Sequence, residues 1–291
     1  MMHALRITVL LSAFTFTLTA LSAQELEVFR LYDKAGSALT FAEATDRMAE
    51  ADVVLFGEFH DHALIHWIQL RTAMALSEKT DLVMGGEMFE SDNQILLDEY
   101  LAGLMTDKVF EDQARLWPNY KTDYKPLVEF AKANGISFAA TNVPRRYASL
   151  TAREGADTLA HLPAASKVFL PRLPLQVSLE TPGYSAMMEM MSGHGARFSA
   201  DNFVAAQALK DAAMAEGILR NLGDEQTFLH FNGDFHSADY GGIYWYLKQS
   251  EPDLNIVTVK IFSESTLEFD ESRKDTGDII LTVPADFTKT H

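Results

Sequence analysis

Apolar positions along this chain fall into two alternating rhythms. Short unbroken runs rich in Val, Ile, Leu and Phe occur at residues 53–56, 81–84, 136–140, 227–231, 256–262 and 278–283. They have the length and composition of strands buried on both faces. A further short strand is predicted within residues 25–32, ahead of the turn-like Asp33-Lys34-Ala35-Gly36. Between the runs the period changes to that of a helix. Phe41, Ala44 and Met48 mark one at 40–51, and Ile95, Leu96 and Tyr100 share one apolar face at 92–101. Helical spacing also covers 63–78 and 124–133, the latter stopped by Asn134-Gly135. Strand alternating with helix predicts an α/β fold with a mostly parallel sheet flanked by helices. From about 146 to 222 the strand signal disappears. Helical patterns at 146–154, 184–191 and 199–222, punctuated by Pro163, Pro171, Pro174 and Pro182, predict a helical subdomain inserted between two strands.

Several of the predicted strands end in polar residues. Glu58 and His60 follow the first apolar run in Gly57-Glu58-Phe59-His60, and Gly233-Asp234-Phe235-His236 repeats that order after a run far downstream. Glu87 follows the second run, and Asn142 and Arg145 follow the third. Open parallel sheets hold ligands beyond the carboxyl ends of their strands, so these groups are expected to converge on one crevice. Two imidazoles with carboxylates can hold a divalent metal, which gives His60, Glu87, Asp234 and His236 as a candidate metal set. A metal-dependent hydrolase with Glu58, His60, Glu87 and His236 in catalytic roles is therefore one alternative; an acid/base pair acting without metal is another. A crevice whose polar edge is structural, or binds a partner protein, is a third. His62 and His66 are spaced for one helix face and read most simply as a solvated helix start. His230, inside an apolar run, reads as a core residue.

Composition narrows the function. With 291 residues and 47% apolar content the chain has material for one large domain. A net charge of −17 leaves no basic surface for phosphates, so nucleic acid is not expected as a partner. Cysteine is absent, which excludes disulfides, thiolate metal sites and lipid attachment at an N-terminal Cys. Arg6, the apolar stretch 7–21 and Leu21-Ser22-Ala23 have the pattern of a secretory signal at residues 1–23, cleaved after Ala23. The expected mature protein, residues 24–291, is periplasmic and untethered. Within the insertion, the segment from Tyr184 through four methionines to His194 offers phenol, thioether and imidazole, all known iron ligands of haem, although methionines packing inward explain the pattern as simply.

Taken in order, LFGEFHDHALIH, GGEMFESDNQILLDEYLAG, Trp117 with YKPLVEFAKANG, AATNVPRR, FSADNFVAAQALKDAAMAEGI and FNGDFH with Gly241-Gly242 resemble the ChaN-like haem-binding family. The resemblance spans about residues 50–250 and extends to the wider group of Tiki, TraB and erythromycin-esterase-like proteins. It implies an α/β core with a helical subdomain, haem as cofactor, a role in haem and iron acquisition or storage, and a homodimer with haem at its interface. It also implies a haem donor or acceptor protein as partner. The iron-ligating Tyr and the accompanying His of the family carry over to Tyr184 and His194, with Tyr147 and Tyr240 as competing tyrosines. Members are typically lipoproteins, and here the absence of cysteine departs from that pattern.

Overall fold

In the computed structural model, which describes residues 27–192 and 199–291, eight strands form a single sheet. They are β1 (Arg30–Asp33), β2 (Ala38–Leu39), β3 (Val53–Glu58), β4 (Asp81–Glu90), β5 (Phe138–Asn142), β6 (Gln226–Gly233), β7 (Ile256–Glu264) and β8 (Ile279–Pro284). Their order is β2-β1-β8-β7-β3-β6-β4-β5. β3 to β8 pair in parallel, and at one edge the reversed strand β1 pairs antiparallel with both β8 and β2. The mostly parallel α/β architecture expected from the alternating pattern is the one observed.

Helices cover both faces. Along the chain they are α1 (Phe41–Ala49), α2 (Ala63–Ser77), α3 (Gln94–Leu101), α4 (Asp107–Gln113), α5 (Lys125–Asn134), α6 (Arg145–Glu154), α7 (Ala164–Lys167), α8 (Tyr184–Ser192), α9 (Ala200–Asn221) and α10 (Gly242–Ser250). Side chains of α1, α2, α3 and α5 pack with Val54, Phe56, Met84 and Phe231 on one face. Side chains of α8, α9 and α10 pack with Val53, Leu55 and Phe228 on the other. Neighbouring residues of one strand thus feed opposite cores, as the pleat requires. The central strand β3 is buried at all six positions, which accounts for its unbroken apolar run.

Local chemistry sets the helix ends. Thr40 and Glu43 form a reciprocal capping box at α1, and the Ser199 hydroxyl accepts the Asn202 N–H at α9. α5 ends on Gly135 at φ 66°, a left-handed position that glycine adopts without a Cβ clash. The stretch from α6 to α9 does enter between β5 and β6, but α9 is itself a layer of the sheet, packed directly on it. The free edge of β5 is covered by a side chain: Gln94 of α3 accepts the Ala140 N–H (2.5 Å) and donates to the Phe138 carbonyl (3.0 Å). Its amide completes the pairing another strand would offer.

This topology fixes the crevice. β6 enters the sheet between β3 and β4, so the carboxyl ends of three strands from distant parts of the sequence lie side by side.

Candidate functional site

The two Gly-acid-Phe-His motifs are neighbours in space, and their glycines make the approach possible. A Cβ on Gly233 would lie 2.9 Å from His60 Cε1, 3.0 Å from its Nε2 and 3.3 Å from Glu87 Oε2. A Cβ on Gly57 would lie 2.8 Å from Asp234 Oδ1. Each glycine therefore vacates the space that a side chain of the other motif occupies. His60, Glu87 and His236 share one rim, as the strand ends suggested.

The two motifs are nonetheless not structural copies. Glu58 is still in β3, and register pairs it with Gly233 rather than with Asp234. It is buried and accepts three hydrogen bonds, from His60 Nδ1 (2.8 Å), Tyr124 (2.6 Å) and Gln69 (2.7 Å). Burial raises its pKa, but His60, His66 and Tyr124 outweigh that and hold Glu58 below the usual range. His60 lines the crevice, with the side chain 42% exposed and Trp117 edge-on at 4.8 Å. Its burial lowers the pKa, the Glu58 carboxylate raises it more, and the net shift is upward.

A second layer holds this loop from behind. Asn119 donates to the His60 carbonyl (2.7 Å), and His66 Nε2 reaches the same oxygen (3.1 Å). Asn119 also donates to Asp123 (2.7 Å), which accepts from the Thr290 hydroxyl (2.6 Å). His62 and His66 are buried, which corrects the expectation of a solvated helix start. α2 packs on several sides, so its histidines face protein and not water. His230 is buried in the core, bridged to Thr141 (2.8 Å) and Asn232 (3.1 Å).

Glu87 lies within β4, which runs on to Glu90 past the end expected for it. Its Oε2 accepts the Gly233 N–H (2.8 Å) and its Oε1 faces His236 Nε2 (3.1 Å). The other ring nitrogen of His236 is hydrogen-bonded to Asp211, whose second oxygen accepts from Tyr184 (2.6 Å). Burial disfavours the charged ring, but Glu87 and Asp211 together push the His236 pKa up to about 10. Desolvation likewise opposes ionisation of Glu87, and His236, Lys210 and His60 overturn it, so its pKa falls far below the usual range. A buried imidazolium between two carboxylates is the result.

These contacts revise the candidate residues. His236 has both ring nitrogens engaged, so neither is open to a metal. Asp234 is paired with Lys260 and accepts the Ile261 N–H (3.0 Å), which draws it toward β7. Among the described residues no group of three or more His, Asp or Glu is arranged to hold a metal ion. The set His60, Glu87, Asp234 and His236 is corrected accordingly. Tyr184 is also corrected as an iron ligand: it is 1% exposed, its hydroxyl is committed to Asp211, and burial beside that carboxylate raises its pKa and opposes tyrosinate. Tyr147 is buried against Arg146, and the Tyr240 hydroxyl donates to Asp278 (3.2 Å). His194 and the signal segment 1–23 lie outside the described residues.

The rim opens into a crevice of about 440 Å³. His60, Glu87 and Asn142 belong to its wall, with Trp117, Val143, Ala148, Phe203 and Ala206 as apolar surface and Arg145, Gln207 and Lys210 as polar groups. The Asn142 Nδ2 donates to the Glu87 carbonyl (3.0 Å), and its Oδ1 has no partner among the described residues. Larger cavities, of about 470 Å³ near Ile136 and about 610 Å³ beside Trp245, lie away from this array.

The family described as haem-binding uptake, Tiki superfamily, ChaN matches residues 44–247. The chain belongs to this family. The match runs from α1 to α10 and includes every crevice residue named above. A Campylobacter jejuni structure described as cofacial heme binding to ChaN superposes with a TM-score of 0.67 at 19% identity, covering 89% of this chain and 98% of that one. This shared ChaN fold agrees with the single flanked sheet. The type III effector HopBA1 gives 0.47 at 12% identity, covering 83% of this chain and 92% of its own. The MARTX effector domain RRSP from Vibrio vulnificus gives 0.42 at 21%, covering 83% and 39%. No curated protein matches this ChaN-family chain.

Asp211, Gln69, Asn119, Asp123 and Tyr124 support the array and were not picked out from the sequence. One signal was there: Val204, Ala208, Asp211, Ala215 and Ile218 form a single buried stripe of α9, and an acid on such a stripe needs a buried partner.

Proposed function

We propose that this protein binds haem at the strand-end crevice and serves haem uptake or storage outside the cytoplasm. Membership in a haem-binding uptake family supports the ligand, and the mixed apolar and polar lining of the crevice supports the place. Val143, Ala148, Phe203 and Ala206 provide apolar surface for one edge of a macrocycle, with Trp117 beside His60. The observation that carries the assignment is His60. Glu58 takes its Nδ1, which fixes the tautomer and leaves Nε2 without a hydrogen-bond partner among the described residues, on a side chain that lines the crevice. A carboxylate behind a histidine also raises its basicity as a ligand. Bound haem would supply an iron coordination position, and His60 would fill it.

The secretory pattern at residues 1–23 and the absence of cysteine support an untethered periplasmic protein. Among the described residues no helix is long and apolar enough to cross a membrane. The cofacial haem described for the Campylobacter protein supports a homodimer that forms around haem, loaded and unloaded by donor and acceptor proteins. The closed hydrogen-bonding of His236 and Glu87 does not favour a metal-dependent hydrolase.

Hemin titration of the secreted, processed protein tests the proposal, followed by sizing of the loaded sample. A saturable, shifted Soret band with a rise in mass is expected. A spectrum indistinguishable from free hemin at stoichiometric protein would end it.

A further inference from the structure

Acids outnumber bases in this chain 41 to 24, so most cations have a carboxylate within reach. The arginines next to the crevice follow that rule. Arg115 pairs with Glu90 (3.0 Å), and Arg146 pairs with Asp92 (2.5 Å). Arg145 and Lys210 do not: both line the crevice, from α6 and α9, and neither has an acid within ion-pair distance among the described residues. The two acids of the wall are already committed, Glu87 to His236 and Gly233, and Glu90 to Arg115. Two cationic side chains without an ion-pair partner among the described residues therefore line the crevice, in a protein that is otherwise strongly negative.

Unpaired cations beside apolar walls suit a ligand with an apolar body and acid groups at its edge. We infer that Arg145 and Lys210 are specificity-determining residues of the crevice, which recognise the carboxylates of its ligand whether or not that ligand carries a metal. The inference rests on the haem reading, where the acid groups are the two propionates. It goes beyond that reading in requiring the crevice to take a metal-free dicarboxylate porphyrin as well. Arg145 supplies a planar fork that can hold a carboxylate through two donors, whereas Lys210 supplies a point charge.

Quenching of tryptophan fluorescence tests this with three probes: hemin, metal-free protoporphyrin IX and protoporphyrin IX dimethyl ester. Hemin and the free acid are expected to bind, with the ester on the order of a hundredfold weaker for two lost charge-assisted contacts. Arg145→Gln and Lys210→Gln are each expected to weaken the free acid roughly tenfold and leave the ester unchanged. Added salt should narrow the difference between acid and ester. Both side chains are solvent-accessible, so unchanged thermal unfolding of the variants can be verified first. If hemin binds but acid and ester bind equally, the charge inference is overturned and the haem reading stands. If none of the three binds, the haem reading itself fails and takes the inference with it.

Discussion

Glu87 faces His236 Nε2 at 3.1 Å with one carboxylate oxygen and accepts the Gly233 N–H at 2.8 Å with the other. One side chain of β4 is thereby locked to two residues of the second Gly-acid-Phe-His motif. Since Asp211 holds the opposite nitrogen of His236, the ring is an imidazolium buried between two acids.

Stability should depend on that ring. His236→Ala strands two buried carboxylates and is expected to cost about 3–5 kcal/mol in chemical denaturation. The sign of the pH effect follows from the raised pKa. His236 titrates near 10 when folded against 6.5 ordinarily, so its contribution is complete below about 6.5 and is lost as pH rises toward 10. Wild-type denaturation midpoints should fall over that window, and those of His236→Ala should fall less.

Tyr184 separates structure from ligation. Tyr184→Phe removes the donor to a buried Asp211 oxygen and is expected to destabilise by about 1–3 kcal/mol. The Soret position of the hemin-loaded variant should not move. A shifted band would reinstate Tyr184 as an iron ligand.

Gly233→Ala probes the close approach of the two motifs. Gly233 has φ −50°, which alanine adopts freely, so any effect is steric. Its Cβ would displace the His60 ring and press on Glu87. The expected outcome is a folded protein with weakened hemin binding and an altered spectrum.

Much of this site could be read from the chain. Buried strands have no solvent face to break their apolar run, which is why β3 and β6 were legible. A parallel sheet gathers strand ends on one rim, which is why His60, Glu87 and His236 met. What failed did so for physical reasons. Register is set by tertiary pairing, so a repeated Gly-acid-Phe-His gave Glu58 to His60 but Asp234 to Lys260. His66 was misjudged because spacing along a helix says nothing of what packs against it. Tyr184 lies on a helix whose composition suits haem, yet Asp211 on α9 claims its hydroxyl.

Edge protection makes a separate prediction. Gln94→Ala frees the Ala140 N–H and the Phe138 carbonyl at the β5 edge. A loss of about 1–2 kcal/mol and concentration-dependent self-association are expected, measured by denaturation and light scattering.

Iron ligation by His60 requires an unprotonated Nε2. Because Glu58 outweighs burial and raises the His60 pKa, protons compete with iron for Nε2 more strongly than at an ordinary imidazole, and ligation should be lost on acidification. Glu58→Gln, which keeps a hydrogen-bonding amide but removes the charge, should move that transition to lower pH in a Soret titration.

The most direct measurement is the absorption spectrum of hemin-loaded wild type beside hemin-loaded His60→Ala at neutral pH. Wild type should give a Soret band characteristic of nitrogen ligation, and the variant should lose it with weakened affinity. Identical bands and affinities in the two proteins would remove His60, and with it the strand-end crevice, as the site of haem binding.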